Sequence, residues 1–359
     1  MSKRTRGFEQ WDTVGYFNPH HSGAKSALPL WNGEAWQLFH ELEIPDKGRK
    51  KVILKPQDVE SLYVARSPFA PEDILLGIVD LFCQLYARDE SSTAEVSRFT
   101  SNIVTLAAHL DLLRSLESGE GGRRASFHVE TVVNSVINAL RSLYDTFQEI
   151  VRGWWDIAVL NDAQLQRKRR RSKGQEPIRL PKTFSSMVLK GQGKEAPKQP
   201  EEMVDAYVLP HEIARAFAAG TPAFTIIRDL RVRNEHGGGN SLRVGVAEHQ
   251  LFCMVNVKPF SFFPELWRDC SSPTSSLWTW IDHLASEALH SLHNIVVAFT
   301  TLFHFDGGPA YLEGYRVYIR YPVTPELTRI VGPWNTPIAA QFTERYLAHA
   351  ATASAKIPT

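Results

Sequence analysis

The chain has 359 residues and a hydrophobic content of 43%, enough for one or two ordinary cores. Its net charge of +1 excludes a polycation, so any contact with nucleic acid must come from local clustering of Lys and Arg. Cys83, Cys253 and Cys270 lack CxxC spacing, which excludes a zinc ribbon or a disulfide scaffold and points to a reducing compartment.

Residues 1–70 are rich in aromatics, Pro and Gly and show little helical period. They predict an irregular region with one short helix at 31–43 and a strand at 51–55. Met1-Ser2-Lys3-Arg4-Thr5-Arg6 leads into no apolar run, and the longest apolar stretch, 294–305, is too short to span a bilayer. No membrane contact and a cytoplasmic location are therefore expected.

From residue 71 the period becomes helical. A helix is expected at 72–88, with Ile74, Leu75, Ile78, Leu81, Phe82 and Leu85 on one face, and a second at 93–116. The third is the most strongly patterned. Ser126 is a candidate cap, and apolar residues recur at spacings of three and four from Val132 through Trp154. That stripe needs a partner surface along its whole length, and nothing in it demands a ligand.

Residues 164–200 hold eleven Lys or Arg against two acids, including Arg167-Lys168-Arg169-Arg170-Arg171. They predict an exposed insertion with few core contacts, and Arg169, Arg170 and Arg171 are candidates for contacting RNA phosphates. A further helical block begins at Pro210, is expected to break at Gly220-Thr221-Pro222 with Thr221 as N-cap, and resumes to His236. Residues 241–259 alternate like strands, 276–304 read as a long helix, 315–321 as a strand, and the tail from about Ala348 as frayed.

The expected fold is mostly α. An antiparallel helix bundle spans 71–306 and carries the basic insertion at about 164–200. An irregular N-terminal region precedes it, and 307–359 form a C-terminal strand and tail, with a few strands near the C-terminus.

The densest chemistry is at the end of the resumed helix, where Arg228, Arg231, Asn234, Glu235 and His236 precede Gly237-Gly238-Gly239. A histidine titrating near neutrality, beside guanidinium groups that match phosphate oxygens in pairs, has the parts for acid–base chemistry on a phosphate. Arg231 and His236 are candidate catalytic residues; Arg228, Asn234 and Glu235 are candidate substrate contacts. The Arg-to-His spacing also occurs at Arg123…His128 and Arg243…His249, but only Arg231…His236 combines a helix, a glycine stop and a second arginine one turn earlier.

Arg228-Asp229-Leu230-Arg231-x-x-Asn234-Glu235-His236-Gly237 resembles the signature of the HEPN superfamily, Arg and four to six residues then His at the end of a late bundle helix. The resemblance implies a helical bundle and a metal-independent endoribonuclease or RNA-binding protein of a toxin or antiviral defence system. It also implies a homodimer with two Arg/His motifs facing one cleft, an antitoxin or other protein partner, and no cofactor. The family's usual form has Asn, Asp or His directly after the Arg; here Val232 stands there. The alternative is a non-catalytic helical interaction module. A third reading, a metal-dependent bundle enzyme, uses His283, Glu287 and His290, whose Glu-x-x-His pair lacks the second copy that di-metal bundles carry.

Overall fold

The computed structural model describes residues 13–17, 28–31, 36–44, 48–53, 62–65, 68, 73–80, 93–118, 122–160, 178–191, 196–235, 242–299, 316–319 and 325–331. Its strands are β1 (Thr13–Phe17), β2 (Leu28–Trp31), β3 (Trp36–Ile44), β4 (Gly48–Ile53), β5 (Leu62–Ala65), β6 (Val244–Ala247), β7 (Gln250–Met254), β8 (Thr274–Ser276) and β9 (Arg316–Ile319). Its helices are α1 (Thr93–Glu117), α2 (Arg123–Leu160), α3 (Phe184–Val188), α4 (Pro200–Tyr207), α5 (His211–Glu235), α6 (Leu277–Phe299) and α7 (Pro325–Val331). The described residues are mostly helical, with a small antiparallel sheet, β6-β7-β8, toward the C-terminus. Contacts divide the chain into two compact units, one of 1–101, 304–328 and 334–359, the other of 102–303 and 329–333.

In the first unit, β5 pairs antiparallel with both β1 and β9, so the two ends of the chain share one sheet. β2, β3 and β4 form a second antiparallel sheet. The helix expected at 31–43 is thus replaced by β2 and β3, and the region expected to be irregular carries five strands. The reason is visible in β3: Trp36, Leu38, Leu42 and Ile44 alternate with Gln37, Glu41 and Glu43, the period of a strand. The helix expected at 72–88 also differs. Ile74 bridges Ile319 through two backbone hydrogen bonds of 2.8–2.9 Å, and helical residues begin at Gly77. Residues 81–88 lie outside the described residues, as does the tail from Ala348.

In the second unit α2 is the organising element. Val133, Val136, Ile137, Leu140, Leu143, Tyr144, Phe147, Ile150 and Val151 are all fully buried. They pack against α3, α5, α6 and β6. Ser126 does not cap the helix. The chain enters from Gly122, whose φ of +131° favours glycine, and the Ser126 hydroxyl donates back to the Gly122 carbonyl at 3.2 Å.

α5 runs unbroken through Pro222, against the expected break. Thr221 is buried and its hydroxyl donates to the Phe217 carbonyl at 2.9 Å instead of capping a new helix. Pro222 costs about 3 kcal/mol in a helix interior. Ile213, Phe217, Phe224 and Ile227 are fully buried on both sides of it. At about 1.5–3 kcal/mol each, their burial offsets that cost. Gly220 lies close against α6: a Cβ there would stand 3.2 Å from the Ser291 Cβ, so Ser291 would have to give by a few tenths of an ångström.

The supposed exposed insertion is also corrected in its second half. Leu180, Phe184, Met187, Val188 and Leu189 are buried. The Phe184 ring lies 4.7 Å from Tyr144 and 4.9 Å from Phe224. Averaging charge over the whole stretch hides this apolar cluster. Residues 161–177, including Arg167 to Arg171, are outside the described residues. The alternating stretch near 241–259 does form a hairpin, β6–β7. Its turn residues Glu248 and His249 both have positive φ, as a two-residue hairpin turn needs. No helix among the described residues is long and apolar enough to cross a membrane.

Candidate functional site

The register of α5 decides what its C-terminal half can present. Phe224, Arg228 and Arg231 stand at i, i+4 and i+7, one stripe of the helix. Phe224 is fully buried, the Arg228 side chain is 20% exposed, and Arg231 is half-buried. Both arginines are therefore held against the protein, unlike two free surface side chains. Asp229, on a neighbouring face, brings a carboxylate oxygen within 3.8 Å of Arg228 Nη1. Asn234 and Glu235 occupy the last turn of α5. His236, Gly237, Gly238 and Gly239 lie outside the described residues, and so do Arg169, Arg170 and Arg171.

A third arginine joins the stripe from another helix. The Arg141 guanidinium of α2 sits over the Phe224 ring, 4.7 Å from its centroid. Its Nη1 donates to Asp145 Oδ1 at 2.6 Å, an i, i+4 pair along α2. The Arg141 side chain is only 11% exposed. Burial pushes its guanidinium below the ordinary value, Asp145 pulls it back up, and the charges of Arg231 and Arg228 push it down again. An arginine stays protonated in a protein, so the shift reflects first how far burial strips water from Arg141, and only then the charges of Asp145, Arg231 and Arg228 around it. Reading the sequence for a helix spine passes over Arg141. The available signal is that it is the one Lys or Arg between Arg124 and Arg152, in a helix whose stripe is otherwise apolar.

Beside this cluster a polar contact joins α2 to α6. Tyr144 of α2 shares a 2.7 Å hydrogen bond with Ser291 of α6, and the Ser291 hydroxyl lies 2.8 Å from the Ala288 carbonyl, which accepts from it. The Tyr144 ring packs on Phe184 and Phe224. Burial raises the Tyr144 phenol well above its usual range, the Ser291 bond opposes this, Glu287 adds to it and Arg141 opposes it. Tyr144 is thus a neutral hydroxyl and no candidate base.

The α6 constellation is arranged differently. His283 meets the Phe263 ring edge-on at 5.7 Å, Glu287 is exposed and His290 is half-buried. His293 is buried, and burial, with a smaller contribution from His290, pushes it down to about 4. Among the described residues no three His, Cys, Asp or Glu side chains converge as metal ligands. The chain matches no family model, no curated protein and no solved structure.

Proposed function

We propose that this chain is a HEPN-like RNA-binding protein that cleaves RNA without a metal ion, built on an antiparallel bundle of α1, α2, α5 and α6. One observation carries the reading. Arg228 and Arg231 lie one turn apart on the stripe begun by Phe224, partly buried, and the sequence runs directly on through Asn234 and Glu235 to His236. In the reaction, the RNA 2′-OH attacks the adjacent phosphorus. The 2′-O–P bond forms and the P–O5′ bond breaks, leaving a cyclic phosphate and a 5′-OH. One group takes the 2′ proton and another protonates the 5′ oxygen. His236 serves as one of them, and a second copy of the chain in a homodimer supplies the other. Arg231 stabilises the charged phosphorane and Arg228 contacts the same phosphate.

Val232 favours a second reading. It stands directly after Arg231, where the family's usual form is polar, and it is 40% exposed. An exposed apolar residue beside the arginines suits a non-catalytic module that binds a protein partner such as an antitoxin.

Incubating the purified chain with RNA and with DNA in excess EDTA tests the proposal. RNA is expected to be cut and DNA left intact. His236→Ala is expected to abolish cutting while RNA binding survives, and Arg231→Ala to slow it by roughly two orders of magnitude. Cleavage lost on chelation would shift the chemistry to His283, Glu287 and His290. A folded chain that neither cuts nor binds RNA would leave the interaction module.

A further inference from the structure

We propose that Arg141, Arg228 and Arg231 together form a site for one phosphoryl group at the contact of α2 with α5. The argument starts from register. Phe224, Arg228 and Arg231 share a stripe of α5, and Arg141 is fixed at the head of that stripe by the Phe224 ring. Its stem is buried between helices and its head is oriented by Asp145. Such a guanidinium has little rotamer freedom left to lose when an anion arrives. The two α5 arginines are near enough for their charges to act on Arg141.

The chemistry of three guanidinium groups selects the ligand. Each is a rigid planar fork that engages two oxygens of one group. A carboxylate is satisfied by one fork. A tetrahedral phosphoryl group offers oxygens in three directions, so it can meet all three. Guanidinium groups brought close together repel one another, and an anion seated among them opposes that repulsion. Asp145 then has a second role: it competes with the ligand for Arg141. The ligand is the backbone phosphate of RNA or a free phosphate compound. The RNA source rests on the function proposed above; the site itself does not.

The experiment uses the full chain, a short labelled oligouridylate and inorganic pyrophosphate, with affinities measured over a series of salt concentrations. Arg141→Gln is expected to weaken both probes by roughly tenfold or more, the loss of one charged hydrogen-bonding group. It should also flatten the RNA salt slope by about 0.7, one phosphate's worth on a single strand. Arg141→Lys is expected not to restore binding, since a point charge does not replace a fork. Asp145→Asn is expected to act oppositely and tighten both probes severalfold. Circular dichroism melting checks that each variant folds.

A folded Arg141→Gln chain with wild-type affinities and slope would overturn the site. So would an Asp145→Asn chain with unchanged or weaker binding, which decides the matter even if Arg141→Gln does not fold. RNA bound without regard to Arg141 would leave the RNA reading standing and this inference fallen. Pyrophosphate held through Arg141 with no RNA bound would do the reverse. Binding of neither probe at low salt would remove both.

Discussion

Two helices carry candidate triplets at the same spacing, and the two come out differently. Phe224, Arg228 and Arg231 on α5 stand at i, i+4 and i+7, and so do His283, Glu287 and His290 on α6. Sequence spacing makes each triplet one face of a helix. What lies opposite then separates them. The α5 stripe receives Arg141 from α2, a third group of the same chemistry, seated on the stripe's own aromatic residue. The α6 stripe has the edge of the Phe263 ring against His283, and no third ligand converges on it among the described residues. A helix face becomes a site when the facing element completes its chemistry, and the facing element is what a single-helix motif leaves out.

The largest test removes the rings beneath the two triplets. Phe224 is fully buried, packs on Tyr144 and Phe184, and carries Arg141; Phe263 is buried and packs on Trp280 and His283. Each truncation to alanine is expected to cost about 3–5 kcal/mol in urea unfolding. Their effects on pyrophosphate affinity should diverge. Phe224→Ala releases Arg141 and weakens binding, while Phe263→Ala, measured where the protein remains folded, leaves affinity unchanged. Equal losses from both would mean that affinity tracks general stability and that the comparison is false.

A smaller effect distinguishes the histidines of α6. His293 is buried and pushed down to about 4 from an ordinary value of 6.5. The unfolded chain therefore takes up the proton more readily than the folded one. This contribution to stability is complete above pH 6.5, is lost as pH falls from 6.5 toward about 4, and does not change further below that. Over that window the loss is about 3 kcal/mol. Urea midpoints measured from pH 7 to 4 are expected to fall more steeply for the wild-type chain than for His293→Leu. Parallel curves for the two proteins would show that His293 is not the buried neutral group described. The residue is then a core histidine whose titration concerns folding.

Much of this was legible from the residues, and the limits have physical causes. The stripe from Val132 to Trp154 was readable because burial along α2 is nearly continuous, so the sequence must repeat it. The hairpin of β6 and β7 was readable from alternation. Thr221-Pro222 misleads because a local break signal is outweighed by Phe217, Phe224 and Ile227, whose burial only the tertiary packing supplies. The segment around Phe184 misleads because its charge count describes the exposed residues and its packing depends on five apolar ones. Arg141 was missed for a third reason. Its relevance lies wholly in a contact between residues more than eighty positions apart, which no spacing rule on one helix can register.

The smallest expected effect is on metal binding, and it addresses the α6 half of the comparison directly. Zinc held by helix-borne His and Glu needs ligands about 2.0–2.2 Å from the ion, with at least three protein groups turned inward together. His283 is engaged with an aromatic ring, Glu287 faces solvent and His293 is buried, so the stripe does not present such a set among the described residues. Zinc added in small excess is therefore expected to leave the melting temperature unchanged, both in the wild-type chain and in His283→Ala and Glu287→Ala. A specific site would announce itself by mass action, with a hundredfold excess over Kd adding roughly 2.7 kcal/mol of stability. A zinc-dependent rise in the wild-type chain that both substitutions abolish would mean that the α6 triplet is completed after all. The contrast with α5 would then lie in which ligand each stripe takes, a cation on α6 and an anion on α5.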